Sequence, residues 1–399
     1  MNRAISKAVF AATAAGITLG VQAEPLSALS AAVTTGDINL NLRVRYEAVE
    51  QDNLLEDADA LTIRTLLGYT TQKWNELTAF VEMENVSALM DDYSSTPPPT
   101  RYSLVPDPDE TETNQWGLRF TGIQNLVATL GRSRLVLDNA RWVGNVGWRQ
   151  NEQTYDGVFL KFTPRKSLTA QYAYLSNINN IFSSNVDIDA HLINVQWTVS
   201  PLLTLTGYGY LLDFENTTAN SPDADTLGLR LTGGHEFSNG IGMSYVAEFA
   251  SQEAETPAGG FDADYSLLEL AASFKGTKLA LAQEVLGSDQ GQYAVMTPLA
   301  TLHAFNGWSD QFLFTPAQGL VDNFVTLSGS LGKTKWLAVY HEYESDQSGL
   351  DYGTEWGVVV SRPLPGNLLG GIKYSAYEAE DRPTDTDKLW VWLQWGFGG

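Results

Sequence analysis

Asn39-Leu40-Asn41-Leu42-Arg43-Val44-Arg45-Tyr46-Glu47 alternates without a break: its even positions are apolar or aromatic and its odd positions polar or charged. A period of two sends successive side chains to opposite faces of a strand, so one face suits hydrocarbon and the other suits water. The pattern recurs over residues 77–85, 191–199, 265–274 and 389–397. Strands are expected to begin near Asp37, Ala58, Trp74, Glu112, Gln124, Thr154, Leu168, Val186, Leu203, Asp223, Ile241, Asp262, Lys278, Val321, Thr334, Tyr352, Asn367 and Lys388. That makes about eighteen, an even number in the range of bacterial barrels. The connections are alternately tight and long. Thr70-Thr71-Gln72-Lys73 is followed by residues 85–112, then Thr121-Gly122-Ile123, then residues 138–153, then Pro164-Arg165-Lys166-Ser167. A soluble sandwich also alternates, but it keeps no such schedule of short and long connections. The expected fold is all-β: a transmembrane antiparallel β-barrel with long extracellular loops and short periplasmic turns.

Residues 1–23 read as a secretory signal peptide, with Arg3 and Lys7, an apolar stretch, and Val21-Gln22-Ala23 as a small-x-small cleavage site. Residues 24–36 then form a periplasmic N-terminal segment, and residues 37–399 the outer-membrane barrel. Leu389, Val391, Leu393, Trp395 and Phe397 share one face, an ending suited to the outer-membrane insertion machinery. The chain has no Cys, so closure of the strand ladder must hold it together. Tyr46, Tyr69, Trp74, Trp116, Trp336 and Trp356 are candidates for interfacial aromatic girdles. The lipid bilayer and lipopolysaccharide are the expected surroundings.

The net charge of −23, with no basic patch, disfavours nucleic acid. Its carboxylates concentrate in the expected outer loops, where solvation explains most of them. Divalent-ion binding is the sharper alternative, yet Asp-x-Asp pairs such as Asp223-Ala224-Asp225 lack the remaining ligands of a calcium loop. Against this acidity stands a group of arginines. Arg43, Arg45 and Arg64 fall on the lumen face of the first two strands, Arg119 on the fourth, Arg132 and Arg134 near the upper end of the fifth, and Arg141 and Arg149 in the following loop. An arginine in lipid near the midplane costs about 2 to 4 kcal/mol, which turns these inward. Once inward, they either pair with Glu47, Glu82 and Glu84 or stay free for an anionic solute, whose carboxylate the guanidinium fork matches.

Two long segments are candidate gates. Residues 287–322 carry Phe305-Asn306-Gly307-Trp308, apolar enough to fold into the mouth as a constriction, where Trp308 either stacks on sugar or packs the loop. Residues 85–112, with Pro97-Pro98-Pro99, read as a stiff, mobile lid. Nothing points to catalysis or a cofactor: His341-Glu342-Tyr343-Glu344-Ser345 lacks the second His of a zinc motif, and no GxSxG elbow occurs.

Residues 41–47, 58–65, 80–86 and 297–308, and above all Gly131-Arg132-Ser133-Arg134-Leu135-Val136-Leu137-Asp138-Asn139-Ala140-Arg141-Trp142 continuing to Asp156, resemble the alginate-export family of outer-membrane porins. The resemblance implies a monomeric barrel of eighteen strands with a narrow, electropositive channel for an anionic polysaccharide. The functional expectation is a porin passing an anionic saccharide or small organic acid. The alternatives are a general-diffusion or structural barrel whose lumen arginines are all paired, and an outer-membrane enzyme.

Overall fold

A computed structural model describes residues 26–398, so the signal peptide expected at residues 1–23 lies outside the described residues. A short helix, α1 (Leu26–Thr34), leads into β1 (Asp37–Gln51), β2 (Ala58–Thr70), β3 (Leu77–Asp92), β4 (Glu110–Ile123), β5 (Leu126–Ser133) and β6 (Thr154–Arg165). Then come β7 (Leu168–Asn179), β8 (Asn185–Ser200), β9 (Leu203–Phe214), β10 (Asp223–Glu236), β11 (Ile241–Thr256), β12 (Gly259–Phe274) and β13 (Thr277–Leu286). The two-residue strands β14 (Ser288–Asp289) and β15 (Tyr293–Ala294) pair only with each other. The wall resumes with β16 (Leu320–Leu331), β17 (Thr334–Glu344), β18 (Asp351–Leu364), β19 (Leu368–Glu378) and β20 (Thr386–Phe397).

Eighteen strands form one antiparallel sheet, and β20 pairs with β1 from Phe397 opposite Leu40 to Thr386 opposite Gln51, so the sheet closes. Each wall strand begins within a few residues of its expected start. Closure leaves no edge, which satisfies the backbone in lipid where no water can. Among the described residues no helix is long and apolar enough to cross a membrane.

The register carries the alternation around the wall. Leu270, Leu281, Val325, Tyr340 and Trp356 lie opposite one another in sequence across β12, β13, β16, β17 and β18. Leu270 and Leu281 are 58% and 55% exposed, so this row faces outward. One residue along, Ala271, Ala280, Thr326, Val339 and Gly357 form the inward row. Tyr46, Tyr69, Trp116, Trp336 and Trp356 all fall on outward rows, and Trp356 packs on Tyr374 with ring centroids 5.1 Å apart. Trp74 does not join them, because it sits in the β2–β3 turn that the strand ladder leaves at Thr70 and re-enters at Leu77.

Inside the loop end, the barrel is filled. Leu137, Trp142 and Val143 from the β5–β6 loop and Val295, Leu299 and Phe312 from the β13–β16 loop pack against inward aromatics such as Tyr208, Tyr265 and Tyr343 in one apolar cluster.

The face assignment gives a direct expectation. Val325→Arg sets a guanidinium in hydrocarbon at mid-strand and should cost about 2 to 4 kcal/mol, whereas the neighbouring Thr326→Arg faces the lumen and should assemble normally. The folded fraction in outer membranes, read by heat-modifiable gel mobility, separates the two. Equal losses would refute the assignment.

Candidate functional site

Three long connections fold into the loop end and meet one another. The β5–β6 loop (residues 134–153) and the β13–β16 loop (residues 287–319) share a short backbone ladder: Gly144 N–H donates to Leu299 O at 2.8 Å, and Thr301 N–H to Ala140 O at 3.0 Å. The β3–β4 loop (residues 93–109) adds Asp107, whose carboxylate accepts from Arg45 and, at 2.8 Å, from Gln150 N–H. Strand β3 continues to Asp92, and residues 105–108 are buried. The mobile lid expected over residues 85–112 is therefore corrected: residues 85–92 and 110–112 are wall strand, and the end of the loop between them is pinned inside by a charge pair.

Most of the candidate arginines converge on this layer and are occupied there. Arg43 donates to Gln150 Oε1 at 2.7 Å and Gly147 O at 3.2 Å. Arg45 holds Asp107 and lies 3.4 Å from Glu47. Arg149 donates to both Glu47 oxygens at 2.9 and 3.0 Å and to Asp310 at 3.2 Å. Arg134 bridges Glu82 and Glu152, and Arg64 reaches Asn41 at 2.9 Å. Arg141, 2% exposed, donates to Glu284 at 2.8 Å. A β-bulge helps: β4 carries one extra residue opposite Glu82 and Met83, which turns Asn114 inward onto Glu82 and Glu152 at 3.0 and 2.6 Å.

Arg132 and Arg119 stand apart. Arg132 continues the outward row of Leu126, Ala128 and Leu130 and lies opposite Trp116 and Asp156. The inward placement expected of it is corrected: it is at the loop end of the wall, above the hydrocarbon, and Asp156 neutralises it through two bonds of 2.8 Å. Arg119 faces the lumen and is exposed, with its guanidinium over the Phe80 ring at 5.4 Å. Lys161, between outward Leu160 and Phe162, is also exposed on the lumen face. Among the described residues neither makes an ion pair. Lys161 went unnoticed in the sequence, although alternation alone places it.

Trp308 lies on the ammonium of Lys373, 4.0 Å from its ring centroid, with Trp148 and Trp390 at 4.3 and 5.0 Å completing a cage. The Lys373 amine donates to His303 Nε2 at 2.7 Å, which leaves His303 Nδ1 to donate to Asp310 at 2.6 Å. Lys388 joins Asp310 at 2.7 Å. Glu355 accepts the backbone N–H groups of Trp308 and Ser309. Asp107 and Asp310, which sequence reasoning did not single out, lie 62 and 161 residues from Arg45 and Arg149, the arginines they hold.

In the loops, charge follows these partners. Burial favours the protonated form of Asp107, but the Arg45 and Arg149 guanidiniums outweigh it and hold the carboxyl below its ordinary range. His303 is pushed down to about 3 by burial, with Lys373 and Arg149 adding to the effect against the opposing pull of Asp310.

The comparisons with known proteins agree with this architecture. The profile of the alginate export family matches residues 7–239, more than half of the sequence. The chain belongs to that family. No curated protein matches it. Among solved structures it is similar to a BenF-like porin from Pseudomonas fluorescens Pf-5, at 12% identity and a TM-score of 0.75, covering 92% of this chain and 100% of that one. It is likewise similar to Pseudomonas aeruginosa OccK9 (OpdG), at 13% identity, TM-score 0.73 and coverage of 92% and 100%. Pseudomonas aeruginosa OpdK, solved with vanillate, gives 9% identity, TM-score 0.73 and the same coverage. These likenesses carry the fold alone. Family and fold together are those of an outer-membrane porin.

Two expectations follow for the loop layer. Glu284→Ala leaves Arg141 buried without a carboxylate and should cost about 3 to 5 kcal/mol of loop seating, while Arg141→Met with Glu284→Leu should recover most of it. Protease cleavage within residues 134–153 and 287–319 in intact membranes reads both. The second concerns pH. A released His303 takes up a proton near its ordinary 6.5, whereas the seated one stays neutral to about 3, so acid favours release across that interval. Tryptophan emission should shift to the red as pH falls from about 6.5 to 4 and should not shift in His303→Gln.

Proposed function

We propose that this chain is an outer-membrane channel, working as a monomer, that passes a small anionic solute, either a saccharide acid or an organic acid. The observation that carries the reading is the contrast between occupied and unoccupied cations in the lumen. The guanidiniums of the constriction are bound to carboxylates, carbonyls and amides of loop and wall, and they act as structure. Arg119 and Lys161 face the remaining space with no anionic partner, where a low-dielectric wall focuses their field. Membership of the alginate export family fits an acidic solute. The vanillate bound by the structurally similar OpdK is also a carboxylate. The family's polysaccharide is the less favoured cargo, because the loops pack the loop end of the lumen with a folded core.

The paired arginines favour a second reading, a channel with little selectivity, and one experiment separates the two. Arg119→Gln with Lys161→Gln should move the reversal potential in a potassium chloride gradient toward cation preference. The shift should shrink as salt rises from 0.01 to 1 M, because the screening length falls from about 30 to 3 Å. Arg43→Gln should leave the reversal potential unchanged, since that guanidinium is buried beneath Gln150 and Gly147 of the β5–β6 loop and does not face open lumen. No shift in the Arg119 and Lys161 variant would leave the unselective channel as the better description.

A further inference from the structure

Strand β5 stops at Ser133, while β4 runs on to Glu110, so among the described residues 110–115 of β4 have no strand partner on that flank. The chain that leaves the wall there returns at the end of the β5–β6 loop, and polar side chains fill the gap. Glu84 on β3 lies directly opposite Glu112 on β4. Like charges so placed destabilise a sheet unless something answers them. The nearby Glu82 and Glu152 share the Arg134 guanidinium. Glu84 and Glu112 make no ion pair among the described residues. Arg64 and Arg132 attract them from beyond ion-pair distance and direct their own bonds to Asn41 and Asp156.

Five oxygens here have no hydrogen-bond partner among the described residues: Glu84 Oε2, Glu112 Oε1, Asn114 Oδ1, Asn151 Oδ1 and Thr154 Oγ1. Glu84, Asn114, Asn151 and Thr154 are at most 1% exposed. The amide orientations are fixed by their donors. Asn114 Nδ2 donates to Glu82 and Glu152 at 3.0 and 2.6 Å, and Asn151 Nδ2 to Ile181 O and Ser183 Oγ at 3.1 and 2.9 Å, so in each the carbonyl is the atom left over. The five residues are neighbours. Glu84 accepts the N–H of Glu152, next to Asn151, at 3.2 Å. Ser183 stands between Asn151 and Glu112, and Asn179, opposite Thr154, donates to Glu112 at 2.8 Å. Buried acceptors without donors are rare, because each gives up water for nothing, and a cation answers all of them at once. Among the described residues no three carboxylate or imidazole side chains are grouped to hold a metal ion, so the acids of this set number two. Two carboxylates with amide and hydroxyl oxygens suit calcium, which takes about six to eight oxygens in a flexible geometry, whereas magnesium demands a strict octahedron. We infer that Glu84, Glu112, Asn114, Asn151 and Thr154 form a calcium site. Asn151 belongs to the β5–β6 loop and the other four to wall strands, so the ion ties that loop to the wall. The inference does not depend on which solute passes.

The purified protein, stripped with a chelator, is titrated with calcium chloride. Equilibrium dialysis reads binding, and protease cleavage within residues 134–153 reads the seating of the loop. Calcium should bind with a dissociation constant of about 0.1 to 1 mM, the range of extracellular calcium modules, and should slow cleavage about tenfold over the same concentrations. Magnesium at equal concentration should do neither. Glu112→Gln, and independently Glu84→Gln, should weaken binding about tenfold or more while the heat-modifiable gel mobility of the folded barrel is kept. Asn151→Ala, a loop change that leaves the wall untouched, should weaken binding as well. Glu253→Gln with Asp262→Asn removes an exposed pair of opposed carboxylates on β11 and β12 and should leave binding intact. The site is overturned if the unaltered protein shows no saturable calcium binding, if magnesium serves equally, or if binding survives the glutamine and alanine variants and is lost with Glu253 and Asp262. Calcium bound with no change in cleavage would overturn the tie between loop and wall.

Discussion

Hydrocarbon offers no partner to a backbone N–H or C=O, and this chain meets that constraint by pairing its last strand with its first. Closure fixes the inward and outward rows for the whole wall, since a slip of one residue would exchange them on every strand. The outward rows then have to be apolar, as Leu270, Leu281 and Val325 are. The inward rows are free to carry charge. Everything functional in the molecule is a use of that freedom.

Most of the charge is spent on holding loops. Taking an ion pair out of water costs several kcal/mol per ion, so a lumen full of such pairs is a poor way to gain stability. It is a good way to fix geometry. A guanidinium donates along set directions, and Arg149, which reaches Glu47 on the wall and Asp310 on the β13–β16 loop, ties two elements that no backbone ladder joins. The apolar cluster beneath supplies cohesion. The ion pairs decide which way the loops lie, and the loop end of the lumen is a folded core.

The wall was legible in the sequence because its two determinants are local: alternation over nine or ten residues and the length of the next connection. The loop layer was legible only in part. Phe305, Trp308 and Phe312 announce a buried loop by composition, and the structure buries or half-buries each of them. Glu47, an expected partner on the first strand, does pair with Arg45 and Arg149, but Asp107 and Asp310, which complete their pairing, sit in distant loops whose paths no period describes. Arg132 failed for a different reason. Its row is plainly outward, but its position above the hydrocarbon and its bond to Asp156 remove the penalty on which the inward placement relied.

The acidic exterior and the proposed anion preference are compatible on physical grounds. Carboxylates on exposed loops lie in water and salt, where their influence fades over about 8 Å at physiological ionic strength. On the proposed reading, Arg119 and Lys161 would act across a passage narrowed by protein, with few screening ions and a low dielectric behind them. A permeant anion would then pass the loop charges while still solvated and meet the two cations only in the narrowed lumen. The exposed carboxylates behind the net charge of −23 would then contribute little at the selective step. On the proposed reading, selectivity depends on which cations still face open lumen after the loops have packed, and the total charge of the chain does not reveal that.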